Sequence, residues 1–307
     1  MAERTSTHKA APGLRPKMAC EIRTEGVLAA RGSSHRHGDE TAMAFAPLAA
    51  GALAPGLKVP NVIDAAAVTA AVESALGEVN AKTKDLTLVV PDAAARVLLL
   101  DFDTLPAKKT EALSVVRFRL RKMVPFDVES AVVSYQLMTE RAGQLSVLVT
   151  VMPGDVLAEY ESVIREAGYS PGVVLPSTLA VAAAMESSDA ALMVNHAGSS
   201  ITTAVTQGNE MLLHRLMELP VDEPARNQEM AQAVNTALAW YEDTLRSTPV
   251  ALYYAGPGGA VSARTSPWAA MVEPIPHIED FAVPEKASTM TSIPTGLTAG
   301  VTGALAG

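Results

Sequence analysis

Cys20 is the single cysteine in 307 residues, so no internal disulfide can form. That suits a reducing cytoplasm, and a lone apolar-flanked cysteine reads as a small buried side chain rather than a reactive thiol. Aromatic residues make up only 4% of the chain, while hydrophobic residues reach 49% through Ala, Val and Leu, a balance that fits an α/β protein. Cations are outnumbered, 24 Lys and Arg against 33 Asp and Glu, for a net charge of −9 and a pI near 5.2. Such a surface excludes nucleic acid as the main partner and disfavours direct docking on anionic lipid. No apolar run is long enough to cross a bilayer. Residues 1–17 carry Arg4, Lys9, Arg15 and Lys17 without an apolar central segment, so they do not read as a secretory signal; with Pro12, Gly13 and Pro16 they read as a disordered tail.

Periodicity then orders the rest. Met18–Arg31 reads as a short hairpin, followed by a turn-rich stretch from Gly32 to Asp39. His35 and His37 on that stretch have no third ligand in sight, so they read as solvated histidines and not as a metal site. Asp64 caps a helix whose Val68, Val72, Leu76 and Val79 share one face. Leu86–Val90 and Arg96–Phe102 read as strands, the first ended by Pro91-Asp92. A helix follows from about Lys108 to Val124, with Leu113, Val116, Leu120, Met123 and Val124 as its core stripe. Val115 and Phe118 form a second apolar line; either the helix is covered on two faces or Phe118, framed by Arg121 and Lys122, is exposed for a partner. Val132–Met138 and Leu145–Val151 read as paired strands, and Val156–Ala167 as a helix stopped by Gly168. Pro171–Pro176 makes a bend with a short strand, and Ser177 opens an Ala-rich helix to Met185. Ala191–Asn195, Ile201–Thr206 and Met211–Leu219 read as strands, Glu218–Asn227 as a loop, Ala233–Tyr241 as part of a helix and Ala251–Ala255 as a strand. Beyond Ser266 the pattern is loose until a closing helix within Gly296–Gly307. Strand and helix units thus recur twice, with an insertion in the first half: an α/β architecture with two lobes.

Four features in order carry a resemblance: Pro91-Asp92, Phe102-Asp103-Thr104-Leu105-Pro106, the basic helix Arg117–Pro125 with Phe126, and Tyr135-Gln136. The helix and bend Tyr160–Gly168 into Val173–Ala184 adds a fifth. The chain resembles the PilM family, actin-like cytoplasmic proteins of type IV pilus assembly, from about Met18 onward. The resemblance implies an actin-like, ribonuclease H-like fold of two lobes with a small inserted α+β subdomain in the first. It places the first lobe in residues 18–94 and 168–186, the insertion in 95–167 and the second lobe in 187–307. It also implies ATP with Mg²⁺ between the lobes, and a PilN-like inner-membrane protein whose short N-terminal peptide binds in a groove of the first lobe. Pilus motor ATPases and the platform protein are the further partners implied, with the membrane reached only through such partners.

The residues that would hold a triphosphate are altered. A phosphate turn needs an acidic residue to position the metal or its water, and a glycine to let backbone N–H groups approach. In the first loop Glu21 stands for the family's aspartate, but Arg23 replaces the glycine and Leu28 the lysine. In the second, Asn195 replaces the aspartate and Ala197 the glycine, with Gly198, Ser199, Ser200 and Thr202 alongside. The nucleoside-side turn is best kept, as Gly256-Pro257-Gly258-Gly259. The candidate nucleotide residues are therefore Glu21, Asn195, Gly198, Ser199, Ser200, Thr202, Gly256, Gly258 and Gly259, and the expectation is weak or lost hydrolysis. The candidate partner residues are Phe118, Arg121, Pro125 and Phe126. No other catalytic constellation stands out: His214 reads as structural, and Ser199-Ser200 lacks a nucleophile-elbow context. Two alternatives to a pilus adaptor stay open at this point, a working actin-like ATPase and a GspL-like cytoplasmic platform protein of type II secretion.

Overall fold

The computed structural model describes residues 15–32, 41–80, 83–141, 143–185, 188–282, 287–289 and 291–306. His35, His37 and most of the amino-terminal segment lie outside the described residues.

A six-stranded sheet forms the first lobe. Its strands are β1 (Met18–Arg23), β2 (Gly26–Arg31), β3 (Thr41–Pro47), β4 (Asp85–Val90), β8 (Ser170–Pro176) and β14 (Ala287–Thr289), in the order β14-β3-β2-β1-β4-β8. The two-residue period of β1 divides its side chains between two cores. Met18, Cys20 and Ile22 pack under α1 (Ala65–Glu78) and α3 (Gly154–Glu166). Ala19 packs on the other face with Ala180 of α4 (Ser177–Ala183) and with Val301 and Ala304 of α7 (Ala299–Leu305). Glu21 and Arg23 share that second face, so the same alternation that builds the core aims two charged side chains between the lobes. Asp64 caps α1, its Oδ1 accepting from the Ala67 N–H at 2.9 Å.

The second lobe is a five-stranded sheet in the order β11-β10-β9-β12-β13, made of β9 (Ala190–Ala197), β10 (Ser200–Gln207), β11 (Glu210–Glu218), β12 (Ala251–Ala255) and β13 (His277–Asp280). Leu192, Val194, Ile201 and Val205 pack under α5 (Glu223–Leu245) and α6 (Gly259–Thr265). Met193 and Ala204 face the opposite way, towards Val181 of α4. The inserted subdomain is a three-stranded antiparallel sheet, β5 (Arg96–Phe102), β7 (Gln144–Pro153) and β6 (Ala131–Arg141), with α2 (Lys109–Leu120) on one face.

Four expectations change. The Glu218–Asn227 loop is shorter, because Asp222 Oδ2 caps the Ala225 N–H at 3.1 Å and α5 starts at Glu223. Pro224 sits in the first helical turn, where a missing N–H costs nothing. The carboxy-terminal elements β14 and α7 return to the first lobe. By its packing α3 belongs to the first core, since Val156, Tyr160, Val163 and Ile164 lie against α1 and β1. Helix α2 ends at Leu120, so Met123 falls in the following turn and is 45% exposed.

Where α7 crosses α4 the backbones nearly touch, and a Cβ on Gly303 would collide with the Ala180 carbonyl oxygen. The expected result of Gly303→Ala is a loss of about 1–3 kcal/mol in urea unfolding, against little change for Gly77→Ala, whose Cβ would meet open space.

Candidate functional site

The cleft between the lobes is lined by the turns of two hairpins, β1–β2 from the first lobe and β9–β10 from the second. Arg23 lies between them, 2% exposed. Its Nη1 donates to Glu21 Oε1 at 3.1 Å, and its Nη2 donates across the cleft to the His196 carbonyl oxygen at 3.0 Å. Its Nε stands 3.4 Å from Glu25 Oε2, an ion-pair distance without an aligned hydrogen bond. The other Glu25 oxygen, Oε1, accepts from the Gly198 N–H at 3.2 Å. The two turns are therefore fastened to each other in both directions. Gly198 has φ +55°, and a Cβ there would sit 2.6 Å from Thr24 Oγ1, so only glycine lets the turns meet this closely.

Behind this contact lies a second buried network. Asp92, at the carboxyl end of β4, accepts from the Thr178 N–H at 2.9 Å, from the Thr178 hydroxyl, from Thr202 Oγ1 at 2.8 Å and from Asn195 Nδ2 at 3.2 Å. Asn195 Nδ2 also reaches Ser177 Oγ and Thr178 Oγ1, each at 3.0 Å. Ser177 Oγ donates to Glu21 Oε1 at 2.8 Å and so ties the two networks together. Asp92, Ser177 and Thr178 were not among the candidate site residues. The available signal was the Pro91-Asp92 pair at the end of an apolar strand, since the carboxyl ends of strands face the crevice in open α/β sheets.

The charges sort themselves. Burial pushes the Glu21 carboxyl above the usual range, against the pull of Arg23 and the Ser177 hydroxyl. Burial also acts on Glu25, but Arg23 and the backbone amides outweigh it and hold that carboxyl below the usual range. Burial works against the Arg23 charge, yet the carboxylates of Glu21 and Glu25 outweigh it and keep the guanidinium firmly protonated. The single guanidinium thus serves both carboxylates, hydrogen-bonded to Glu21 and ion-paired with Glu25.

This arrangement does not fit a magnesium-bound triphosphate. The space left beside Glu21, Arg23, Ser177, Ser199 and Ser200 is about 20 Å³, room for one water molecule. The amides of the candidate glycines are engaged: Gly198 N–H by Glu25, Gly256 N–H by the Gly296 carbonyl at 3.0 Å, Gly258 N–H by the Thr295 carbonyl at 3.0 Å, and Gly259 N–H by the Gly256 carbonyl at 3.0 Å. Ser200 Oγ donates to the Ala197 carbonyl at 3.1 Å, and Thr202 is held by Asp92. Of the nine candidate nucleotide residues, Glu21, Asn195, Gly198, Ser199, Ser200 and Thr202 do converge on the cleft; the glycines of the Gly256–Gly259 turn pack against Thr295 and Gly296. On the second-lobe side of that turn is an open pocket of about 230 Å³ lined by His196, Arg226, Tyr254 and Trp268. His196 Nδ1 lies 3.0 Å from the Tyr254 hydroxyl, and the Tyr254 and Trp268 rings stack at 6.2 Å.

A separate groove of about 380 Å³ runs where the first lobe, the insertion and the β10–β11 hairpin meet. Leu175, Leu179 and Met185 line it from the first lobe, Gln136, Met138 and Leu148 from the insertion, and Met211 from the second lobe. Phe118, Arg121 and Pro125 lie elsewhere, exposed at the carboxyl end of α2, while Phe126 is half-buried in the core of the subdomain.

No family model matches the sequence, and no curated protein matches it. Solved structures do. The PilM–PilN type IV pilus biogenesis complex superposes with a TM-score of 0.74 at 17% identity, covering 95% of this chain and 98% of that one. The chain has an actin-like fold. The cytoplasmic domain of EpsL, an inner-membrane component of the Vibrio cholerae type II secretion system, matches at TM-score 0.50 and 13% identity, covering 94% of this chain and 92% of that one. The ethanolamine utilization protein EutJ from Carboxydothermus hydrogenoformans matches at 0.51 and 13%, covering 96% and 92%. At these identities the likeness is one of fold. Within the actin-like fold the inter-lobe cleft is the place where this chain's own residues have closed on each other.

Arg23→Ala leaves the Glu25 carboxylate unpaired in that cleft and removes a donor to Glu21 and to the His196 carbonyl, and the expected cost is about 3–5 kcal/mol in urea unfolding at neutral pH. The Glu25 contribution has a definite sign. Its folded pKa lies below the ordinary 4.5, so its stabilisation is full above that value and is lost as pH falls through the folded pKa. Urea melts from neutral to strongly acidic pH should show a smaller acid loss in Glu25→Gln than in the parent chain.

Proposed function

We propose that this chain is a PilM-like adaptor of a type IV pilus inner-membrane assembly platform. It holds the N-terminal peptide of a PilN-like membrane protein and does not turn over ATP. In this reading it works in the cytoplasm, meets the membrane only through such partners, and passes the connection on to pilus motor ATPases and the platform protein. The observation that carries the reading is the Arg23 contact. A guanidinium ion-paired to Glu21 and Glu25 occupies the place between the hairpins, and its bulk, with its donors committed to those carboxylates and to the His196 carbonyl, leaves a cleft with room for one water and none for a magnesium–phosphate unit. The fold shared with the PilM–PilN complex supports a peptide-holding role.

For the peptide we assign the groove between the first lobe and the insertion. It is concave, mixes apolar side chains with polar ones such as Arg15, Gln136 and Asn209, and is of a size to take two or three side chains of an extended segment. Gln136 supplies a polar group beside Met138, Leu148, Leu179 and Met211, enough to orient a backbone. The sequence-based placement of this peptide at Phe118, Arg121, Pro125 and Phe126 is less suited to it, because Phe118, Arg121 and Pro125 are exposed at the end of α2 and Phe126 packs against the subdomain core.

The test joins two measurements on the full chain. A synthetic N-terminal peptide of a PilN-like protein should bind, and Leu179→Arg should weaken it at least about tenfold, roughly 1.4 kcal/mol. Steady-state phosphate release with magnesium-ATP should not exceed that of an Asn195→Ala control. Turnover well above that control, or peptide binding indifferent to Leu179→Arg, would refute the corresponding half of the proposal.

A further inference from the structure

The inserted subdomain has two faces, and the groove uses only one. Val147, Val149 and Val151 of β7 point into the core under α2, while Leu148 points the other way, towards Met138 and the groove. Helix α2 therefore lies on the side of the sheet away from the proposed peptide site, and its outer surface is uncovered. Phe118 is 70% exposed, Val115 38% and Met123 45%. Of the two readings of the second apolar line, covered or exposed, the structure has it open to solvent.

The charge around it opposes that of the rest of the chain. Residues 108–129 hold six basic and three acidic side chains, a local balance of +3 within a chain of −9, so the remainder carries −12. Part of this charge is committed. Arg117 donates to the backbone carbonyls of Val128 and Ala131, Lys108 pairs with Glu111 at 3.3 Å, and Arg121 pairs with Glu129 at 2.6 Å while its guanidinium lies 6.0 Å from the Phe118 ring. Arg119 and Lys122 have no carboxylate partner among the described residues. Val115, Phe118 and Arg119 at i, i+3 and i+4 share a stripe on one side of α2, and the exposed Lys122 follows in the turn just past its end. An apolar anchor point is thus flanked by two uncommitted cations.

We propose that this stripe is a docking surface for an acidic segment of a partner protein, one bulky apolar residue of that segment resting on Phe118 and Val115 while its carboxylates meet Arg119 and Lys122. Charge complementarity selects the occupant: a basic stripe on an acidic chain steers acidic partners and repels chains like itself. Anionic lipid fits less well. Membrane-surface clusters use four to eight cations, whereas here three (Lys109, Arg119 and Lys122) are unpaired among the described residues and Glu111, Asp127 and Glu129 stand among them.

The test titrates a labelled synthetic peptide, one Phe set among Asp and Glu, against the full chain by fluorescence anisotropy. The controls are its Asn/Gln isostere and vesicles of phosphatidylcholine with about one-third phosphatidylserine, at about 50 and about 300 mM NaCl. The acidic peptide should bind, weaken with salt, and lose at least about tenfold in Phe118→Ser and in the Arg119→Glu, Lys122→Glu double variant, while Leu179→Arg leaves it unchanged. All these substitutions are at exposed or groove positions, and unchanged melting curves confirm intact folds. Equal binding of the isostere, indifference to Phe118→Ser, or capture by vesicles without peptide binding would each overturn the proposal. Because Leu179→Arg separates the two faces, failure here is distinct from failure of the groove assignment.

Discussion

The structure turns on one buried guanidinium. Arg23 reaches from the first lobe to the His196 carbonyl of the second, and Glu25 returns the contact through Gly198. Both turns gain partners for groups that would otherwise face each other across a polar gap, with room left for one water between them. A buried ion cluster of this kind is costly to assemble, because each charge must leave water. It persists here because Ser177 and the backbone supply further hydrogen bonds, and because Glu21 is pushed towards its neutral form and so adds little uncompensated charge. The same contact that fastens the lobes denies the cleft to a metal-bound phosphate, so fold integrity and the proposed loss of hydrolysis share one cause.

Asp92 supports this arrangement from behind. Its carboxylate collects donors from α4 of the first lobe and from β9 and β10 of the second, so Asn195 is a structural donor in a network. Replacing a metal-binding aspartate with asparagine, as the resemblance to PilM implies, supplies an N–H where a carboxylate could only accept. The alteration that spoils a metal site is the one that lets Asn195 bind Asp92, Ser177 and Thr178 at once.

Much of this was legible in the chain. The β1 hairpin, the Asp64 cap, β5 and β12 follow from period and turn chemistry alone, and the two-lobed actin-like architecture follows from the order of the motifs. The altered residues at positions 23 and 195 pointed to the cleft because glycine and aspartate have steric and electrostatic duties that Arg and Asn cannot perform. What they do instead was not legible: whether Arg23 turns into the cleft or out of it depends on Glu25 and His196, distant in sequence from one another. Likewise the engagement of Gly256 and Gly258 depends on Thr295 and Gly296, in a stretch whose small residues carry no period. The return of α7 to the first lobe escaped notice for the same reason, since a helix of Ala and Gly shows no stripe until its partner helix is known. Phe118 was ambiguous because a second apolar line looks the same whether it is covered or waiting to be.

Amide hydrogen exchange at Gly198, with and without magnesium-ATP, tests the central claim most directly. If Glu25 holds that N–H and the guanidinium fills the space beyond it, the amide is protected in the free chain and magnesium-ATP leaves its rate unchanged. Fast exchange in the free chain that slows on adding magnesium-ATP would show a cleft open to phosphate, and would contradict the account.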